Sequence, residues 1–351
     1  MTKMTQGKLK GLEALSDKKG IIRAAAMDQR GSLLKSIAKA KGVDAKLITP
    51  AMIGEFKEAV TRVLTAYASA ILLDPEYGLS AVKARNKNAG VLLAYESSGY
   101  DNTRPGRIPD LLAEWTVSRL IKAGADAIKV LIYYNPFEKK DVNEYKHTFV
   151  ERIGAECSYH DVPHFLEFVG YALEGQEADE LGYAKQKPQI VAKSMEEFSK
   201  PQYGVDILKV EIPIDMKFTE GTKAFKGRKA YTRNEALQFF RETAQVAKKP
   251  FIYLSAGVSD DEFRESLELG TEAGVPFAGV LCGRATWKDG IPVYAKEGLK
   301  AFEAWLNDRG VKNIQALNAV LDKGAKPWYQ IYGGQNQVQA VDKAGNPVRS
   351  S

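Results

Sequence analysis

Short apolar runs recur along the chain with polar, helix-patterned stretches between them. They are GIIRAAAMD (20–28), AILLDPEYG (70–78), GVLLAYES (90–97), DAIKVLIYY (126–134), HFLEFVGY (164–171), DILKVEIPI (206–214), FIYLSAGV (251–258) and FAGVLCGR (277–284). Each is strand-length and rich in β-branched or aromatic residues. Between them, PDLLAEWTVSRLIKAG (109–124) and EYKHTFVERIGAECSYH (144–160) place apolar residues at three- and four-residue spacing, which predicts amphipathic helices. Thr232 with Glu235, and Ser259 with Glu262, are spaced as capping boxes at helix starts. Eight strands alternating with helices predict a (β/α)8 TIM barrel over residues 1–325. The rival, a doubly wound open sheet, is disfavoured because no GxGxxG turn follows the first strand. Residues 326–351 are rich in Gly, Gln and Asn with little periodicity and are expected to form a mobile C-terminal extension.

Two of the strand runs contain a lysine. Lys129 and Lys209 each follow an aliphatic residue inside an otherwise buried pattern. Burial disfavours an ammonium ion, and a lysine made neutral in this way is a nucleophile for carbonyl carbon. Side chains alternate across a strand, so the wholly aliphatic face of DILKVEIPI should meet the helices and turn Lys209 and Glu211 inward. The same parity puts Lys129, Leu131 and Tyr133 inward, and Glu167 inward between the two lysines. Asp28, Asp74, Glu76 and Glu96 fall at the ends of the first three strands, where a barrel keeps its catalytic groups. A structural ion-pair network is the alternative for these charges. Buried pairs are expensive, however, and apolar residues would fill the same volume more simply.

The seventh and eighth strands end in LSAGVS and LCGRATW. Ser255, Ala256, Gly257, Gly283 and Arg284 there are candidates for gripping a phosphate through close backbone approach and a guanidinium. Arg30, just after Asp28, is placed to meet a second phosphate across the mouth.

Composition narrows the chemistry. The 351 residues carry a formal net charge of +6 with Lys and Arg scattered, so no nucleic-acid surface is indicated and a small anionic substrate fits. Two cysteines and three histidines supply neither a disulfide framework nor a zinc ligand set, and Pro163 separates His160 from His164. No metal or other cofactor is expected. No stretch approaches the roughly 18 apolar residues of a membrane span, and no apolar leader pattern opens the chain, so a cytoplasmic setting is expected. GxSxG and Walker A patterns are absent.

In order along the chain, MDQRG, LLDPEYG, LLAYESSGYD, ADAIKVLIYY, ERIGAEC, FLEFVGY, GVDILKVEIP, YLSAGVS and GVLCGRATW resemble the tagatose 1,6-bisphosphate aldolases, over roughly residues 10–325. That resemblance implies a class I, metal-independent (β/α)8 aldolase that cleaves D-tagatose 1,6-bisphosphate to glycerone phosphate and D-glyceraldehyde 3-phosphate. It makes Lys209 the Schiff-base former, puts Asp28, Lys129 and Glu167 on the other active-site positions, and assigns the SAG and GR segments to phosphate. Either Glu167 or Asp28 is then the base for the C4 hydroxyl. Related aldolases take fructose bisphosphate or sulfofructose phosphate, and a phosphosugar-sensing barrel without turnover is a further alternative. A homodimer is compatible with such an enzyme. Residues 173–187 and the extension after 325 depart from the family pattern.

Overall fold

Each of the eight apolar runs forms one strand of a closed parallel barrel in a computed structural model that describes residues 1–101 and 103–348. The barrel strands are β2 (Ile22–Met27), β3 (Ala70–Leu73), β4 (Gly90–Ala94), β5 (Ala127–Tyr133), β6 (His164–Val169), β7 (Ile207–Val210), β8 (Phe251–Leu254) and β9 (Gly279–Cys282). They neighbour one another in sequence order, and β9 pairs back onto β2 to close the ring. Closure has a steric condition at Gly279. Its φ is +135°, and a Cβ there would lie 1.9 Å from the Ile22 carbonyl oxygen. Only glycine lets the two strands approach at that point.

The parity expected from the sequence divides the core into two layers. Ala24, Ala26, Leu72, Leu92, Ala127, Phe165, Ile207, Ile252 and Leu281 fill the barrel interior. Their alternates, among them Met27, Leu73, Leu93, Val130, Leu166, Leu208, Val210 and Cys282, pack outward against the helices. This is the arrangement that parallel strands buried on both faces require. Helices follow the strands around the ring, including Gly31–Lys41, Pro50–Leu64, Lys140–His160, Glu180–Phe198, Arg233–Gln245 and Asp260–Glu272. Thr232 and Glu235 make both bonds of the capping box, and Ser259 accepts from the Glu262 amide.

Two segments differ from the sequence expectation. The helix expected over 109–124 is confined to Val117–Lys122. Residues 108–112 instead run back along the end of β4: Ser97 donates to the Asp110 carbonyl at 2.8 Å and Leu112 to that of Tyr95 at 3.0 Å. Those amides are bound outside any helix, so the apolar residues serve to pin a loop.

Residues 326–348 show the second difference from what the composition suggests; 349–351 lie outside the described residues. Trp328 is buried, its amide donates to the Gly20 carbonyl at 2.8 Å, and β10 (Val338–Val341) pairs in parallel with β1 (Thr2–Thr5). Together with Leu12 and Leu15 of the helix Gln6–Leu15, Trp328 seals the N-terminal end of the barrel, away from the mouth. One indole packed into the barrel core and one strand pair anchor a stretch that has no periodicity of its own.

Candidate active site

The inward residues at the C-terminal ends of the strands surround a cavity of about 630 Å³, a size suited to a small phosphorylated molecule. Ala26, Leu131, Leu254 and Leu281 give it apolar walls. Its polar lining includes Asp28, Glu96, Lys129, Glu167 and Lys209, contributed by five different strands or the turns just beyond them.

Lys129 is the hub. Its Nζ, fully buried, lies 2.8 Å from Asp28 Oδ2, 2.6 Å from Glu96 Oε1 and 2.8 Å from Glu167 Oε2. Burial alone disfavours the Lys129 ammonium, but the combined attraction of Asp28, Glu167 and Glu96 outweighs it and holds the pKa well above the ordinary lysine value. Asp28 shows the reciprocal effect. Burial pushes its carboxyl up, yet Lys129 and Lys209 overcome that and hold it well below the usual range. At Glu96 burial prevails over Lys129 and Arg30, so its carboxyl is raised. Lys209 Nζ, also buried, donates to Glu167 Oε2 at 2.8 Å. One carboxylate oxygen is therefore equidistant from both ammonium groups.

Across the mouth, Ser255, Ala256, Gly257, Gly283 and Arg284 all line the same cavity. Ala256 and Gly257 are both left-handed, with φ of +47° and +81°. A Cβ on Gly257 would fall 2.8 Å from the Arg284 guanidinium carbon, so the small residue and the arginine are fitted to each other. Arg284 is exposed at the rim.

Arg30 also lines the cavity, but the structure gives it partners of its own. Its guanidinium donates to Glu76 at 2.6 Å and to the Glu96 carbonyl at 2.8 Å, and sits buried between them. Glu211 does not join the group. Although its strand parity is inward, it lies beyond the end of β7, accepting from the Gly170 amide at 2.7 Å and pairing with Lys187 at 3.6 Å. Asp74 points away from the mouth and pairs with Lys57 on the helix Pro50–Leu64.

Several lining groups went unnoticed in the sequence. Ser32 and Lys35 of the first helix after β2, and Ser97, Ser98 and Tyr100 of the loop after β4, edge the opening. Tyr100 packs edge-on to Tyr133 at 5.0 Å, and Arg107 lies over both rings at 5.2 Å. The loop residues carry no periodic signal, and only the polar run ESSGYD directly after a strand could have marked them.

A closed parallel barrel whose mouth joins two buried lysines through one carboxylate, facing small-residue turns after the last two strands, defines a lysine-bearing barrel aldolase. The sequence model of the DeoC/LacD family aldolases matches residues 22–289, and the chain belongs to that family. It is 47% identical over 343 residues to the tagatose 1,6-diphosphate aldolase of Listeria monocytogenes serotype 4a (strain HCC23), covering 98% of this chain and all of that one (100%). It is 51% identical over 329 residues to tagatose 1,6-diphosphate aldolase 2 of Enterococcus faecalis (strain ATCC 700802 / V583), covering 94% and 98% respectively. Among solved structures, fructose-bisphosphate aldolase from Plasmodium falciparum superposes with a TM-score of 0.66 over 93% of this chain and 98% of that one. At 13% identity that likeness concerns the fold alone.

Proposed function

We propose that this aldolase cleaves D-tagatose 1,6-bisphosphate to glycerone phosphate and D-glyceraldehyde 3-phosphate through a Schiff base on Lys209. The observation that carries the reading is Glu167 Oε2, 2.8 Å from both Lys129 Nζ and Lys209 Nζ. It supplies a proton acceptor next to the nucleophile and a fixed positive charge on the other side.

In this scheme Lys209 gives a proton to Glu167 and its amine adds to the ketose C2 carbonyl. The resulting carbinolamine loses its hydroxyl as water, with Glu167 returning the proton, to leave an iminium ion. A carboxylate then takes the C4 hydroxyl proton, the C3–C4 bond breaks, and the electron pair is drawn into the iminium to form an enamine. D-Glyceraldehyde 3-phosphate departs first. Protonation of the enamine at C3 and hydrolysis of the imine release glycerone phosphate and restore Lys209.

Asp28, held ionised by the two lysines, is a weak base and serves better to fix Lys129 than to accept the proton. We therefore assign the C4 proton to Glu167. The 1-phosphate is placed on Ser255, Ala256, Gly257, Gly283 and Arg284, which holds C2 against Lys209 and makes the attack effectively intramolecular. Ser32 and Lys35, on another side of the opening, are assigned to the distal phosphate. Arg30, engaged by Glu76 and Glu96, frames the site from below. The same proposal sets the enzyme in the cytoplasm. It needs no metal or other cofactor.

Borohydride reduction in the presence of tagatose 1,6-bisphosphate, followed by peptide mapping, tests the assignment. A label on Lys209 is expected, and a label on Lys129 or none at all would overturn it. Comparing tagatose, fructose and sulfofructose phosphates with and without chelator then tests the substrate, with tagatose bisphosphate preferred and chelator without effect.

A further inference from the structure

Behind the β2 and β3 strand ends lies a charge pair that the reaction scheme does not use. Lys57 and Asp74 are both fully buried, at 0% exposure each. Lys57 sits on the buried face of the helix Pro50–Leu64, among Ile53, Phe56, Ala59, Val60, Thr61 and Leu64. Its ammonium reaches past these to bond Asp74 and to donate to the Met27 carbonyl at 2.6 Å. Asp74 is itself oriented by the Tyr77 amide at 2.8 Å.

The Met27 carbonyl belongs to the peptide that leads into Asp28. On the far side, Asp28 holds Lys129 at 2.8 Å, and two residues later Arg30 is clamped by Glu76 and the Glu96 carbonyl. The turn 27–30 is thus gripped from behind by Lys57 and from its far end by Arg30. We infer that Lys57, supported by Asp74, is a positioning residue that sets Asp28, and through it Lys129, by fixing the Met27 carbonyl.

This deepens the aldolase reading and rests on it. Stability does not explain the pair, because well-packed apolar residues commonly replace buried ion pairs with little loss or with a gain. The surrounding face would readily accept one. A rigid support for the charged groups around Lys129 does explain it, because catalytic geometry is sensitive to displacements of well under an ångström. The pair also adds a positive charge near Asp28. Burial raises that carboxyl, Lys129 and Lys209 lower it most, and Lys57 contributes in the same sense.

The test is a mutant cycle combining Lys57→Met/Asp74→Asn, which leaves no buried charge unpaired, with Asp28→Asn. The pair variant is expected to melt cooperatively, to keep KM and borohydride labelling of Lys209 within about threefold, and to lose about 10- to 100-fold in kcat. In the Asp28→Asn background the same change should cost less than about twofold, since the residue it positions is already disabled. Asp74→Asn alone, which takes the support away but leaves Lys57 within reach of the Met27 carbonyl, should lose less in kcat than the pair variant, and a loss as large as that of the pair would overturn the assignment to Lys57. An unchanged kcat in the pair variant, an equal loss with and without Asp28, or a loss confined to KM would overturn the inference. Should the pair variant not fold, Lys57→Leu/Asp74→Asn, which likewise leaves no charge unpaired, is run through the same cycle and judged by the same outcomes. Failure of the aldolase reading is distinguishable: the parent enzyme itself would then show no cleavage and no label on Lys209.

Discussion

Replacing Lys129 by methionine removes the positive charge that three carboxylates share while nearly preserving side-chain volume. At 2.8 Å and an effective dielectric constant near 20, each contact is worth about 6 kcal/mol before desolvation is counted. Desolvation cancels much of that, and stripping one partner from a buried pair typically costs about 3–5 kcal/mol. We expect a loss in that range at neutral pH, because Asp28, Glu96 and Glu167 lose the charge they share, leaving Lys209 beside Glu167 and Arg30 beside Glu96.

The loss should depend on pH with a definite sign. Asp28, now held low chiefly by Lys129 against the effect of burial, and Glu96, already raised by burial, would both bind protons more readily in the folded variant than in the unfolded chain. A carboxyl raised in this way destabilises the native state once it must ionise, and the penalty fades as pH falls below its folded pKa. Urea unfolding at about pH 7.5 and about pH 5 should therefore show the gap between parent and variant narrowing on the acidic side. Turnover should fall by at least about 100-fold at both. A gap of equal size at the two pH values, or turnover within tenfold of the parent, would refute the view of Lys129 as the charge that organises the site.

Three further outcomes follow from other parts of the molecule. Lys146 is fully buried against the Tyr171 hydroxyl at 3.0 Å, and burial, only partly opposed by Glu138, pushes its pKa from 10.5 down to about 8. Below pH 8 both folded and unfolded chains hold that proton and the native state bears the full cost. As pH rises toward 10.5 the native state releases it first, and stability rises by about 3 kcal/mol. Lys146→Met should be free of this rise, so its advantage over the parent in urea should shrink from about pH 7 to about pH 10. Gly257→Ala forces a Cβ against the Arg284 guanidinium and strains a left-handed residue. It should raise KM about tenfold with kcat changed less, as steady-state kinetics would show. Gly279→Ala meets the Ile22 carbonyl where the barrel closes and should cost about 3 kcal/mol or more, or prevent folding, as seen by thermal melting.

Strand alternation makes the centre of the site legible in the sequence. Once Leu208, Val210 and their counterparts were assigned to the helices, Lys129, Glu167 and Lys209 had only the barrel interior left. The partners of those groups were less legible. Nothing local says that Arg30 turns to Glu76 and the Glu96 carbonyl rather than to the opening, because those contacts cross from one strand end to the next. Glu211 shows the limit of parity, which fixes a face but not the height at which a strand stops. Lys57 did leave a signal, a charge on the mostly apolar buried face of its helix, but its target carbonyl is 30 residues away in sequence. The stretches 95–101 and 103–112 are held by single amides, and 328–348 by one indole and one strand pair, and such contacts leave no period to read.

The floor of the mouth carries no excess positive charge, since Lys129 and Lys209 face Asp28, Glu96 and Glu167, and Arg30 is paired with Glu76. Long-range attraction for the proposed bisphosphate substrate must then come from the rim, where Lys35 and Arg284 stand exposed. Capture and chemistry are in this way assigned to different charges. Added salt should slow encounter with substrate by screening the rim, while leaving the rate of bond cleavage within the bound complex nearly untouched.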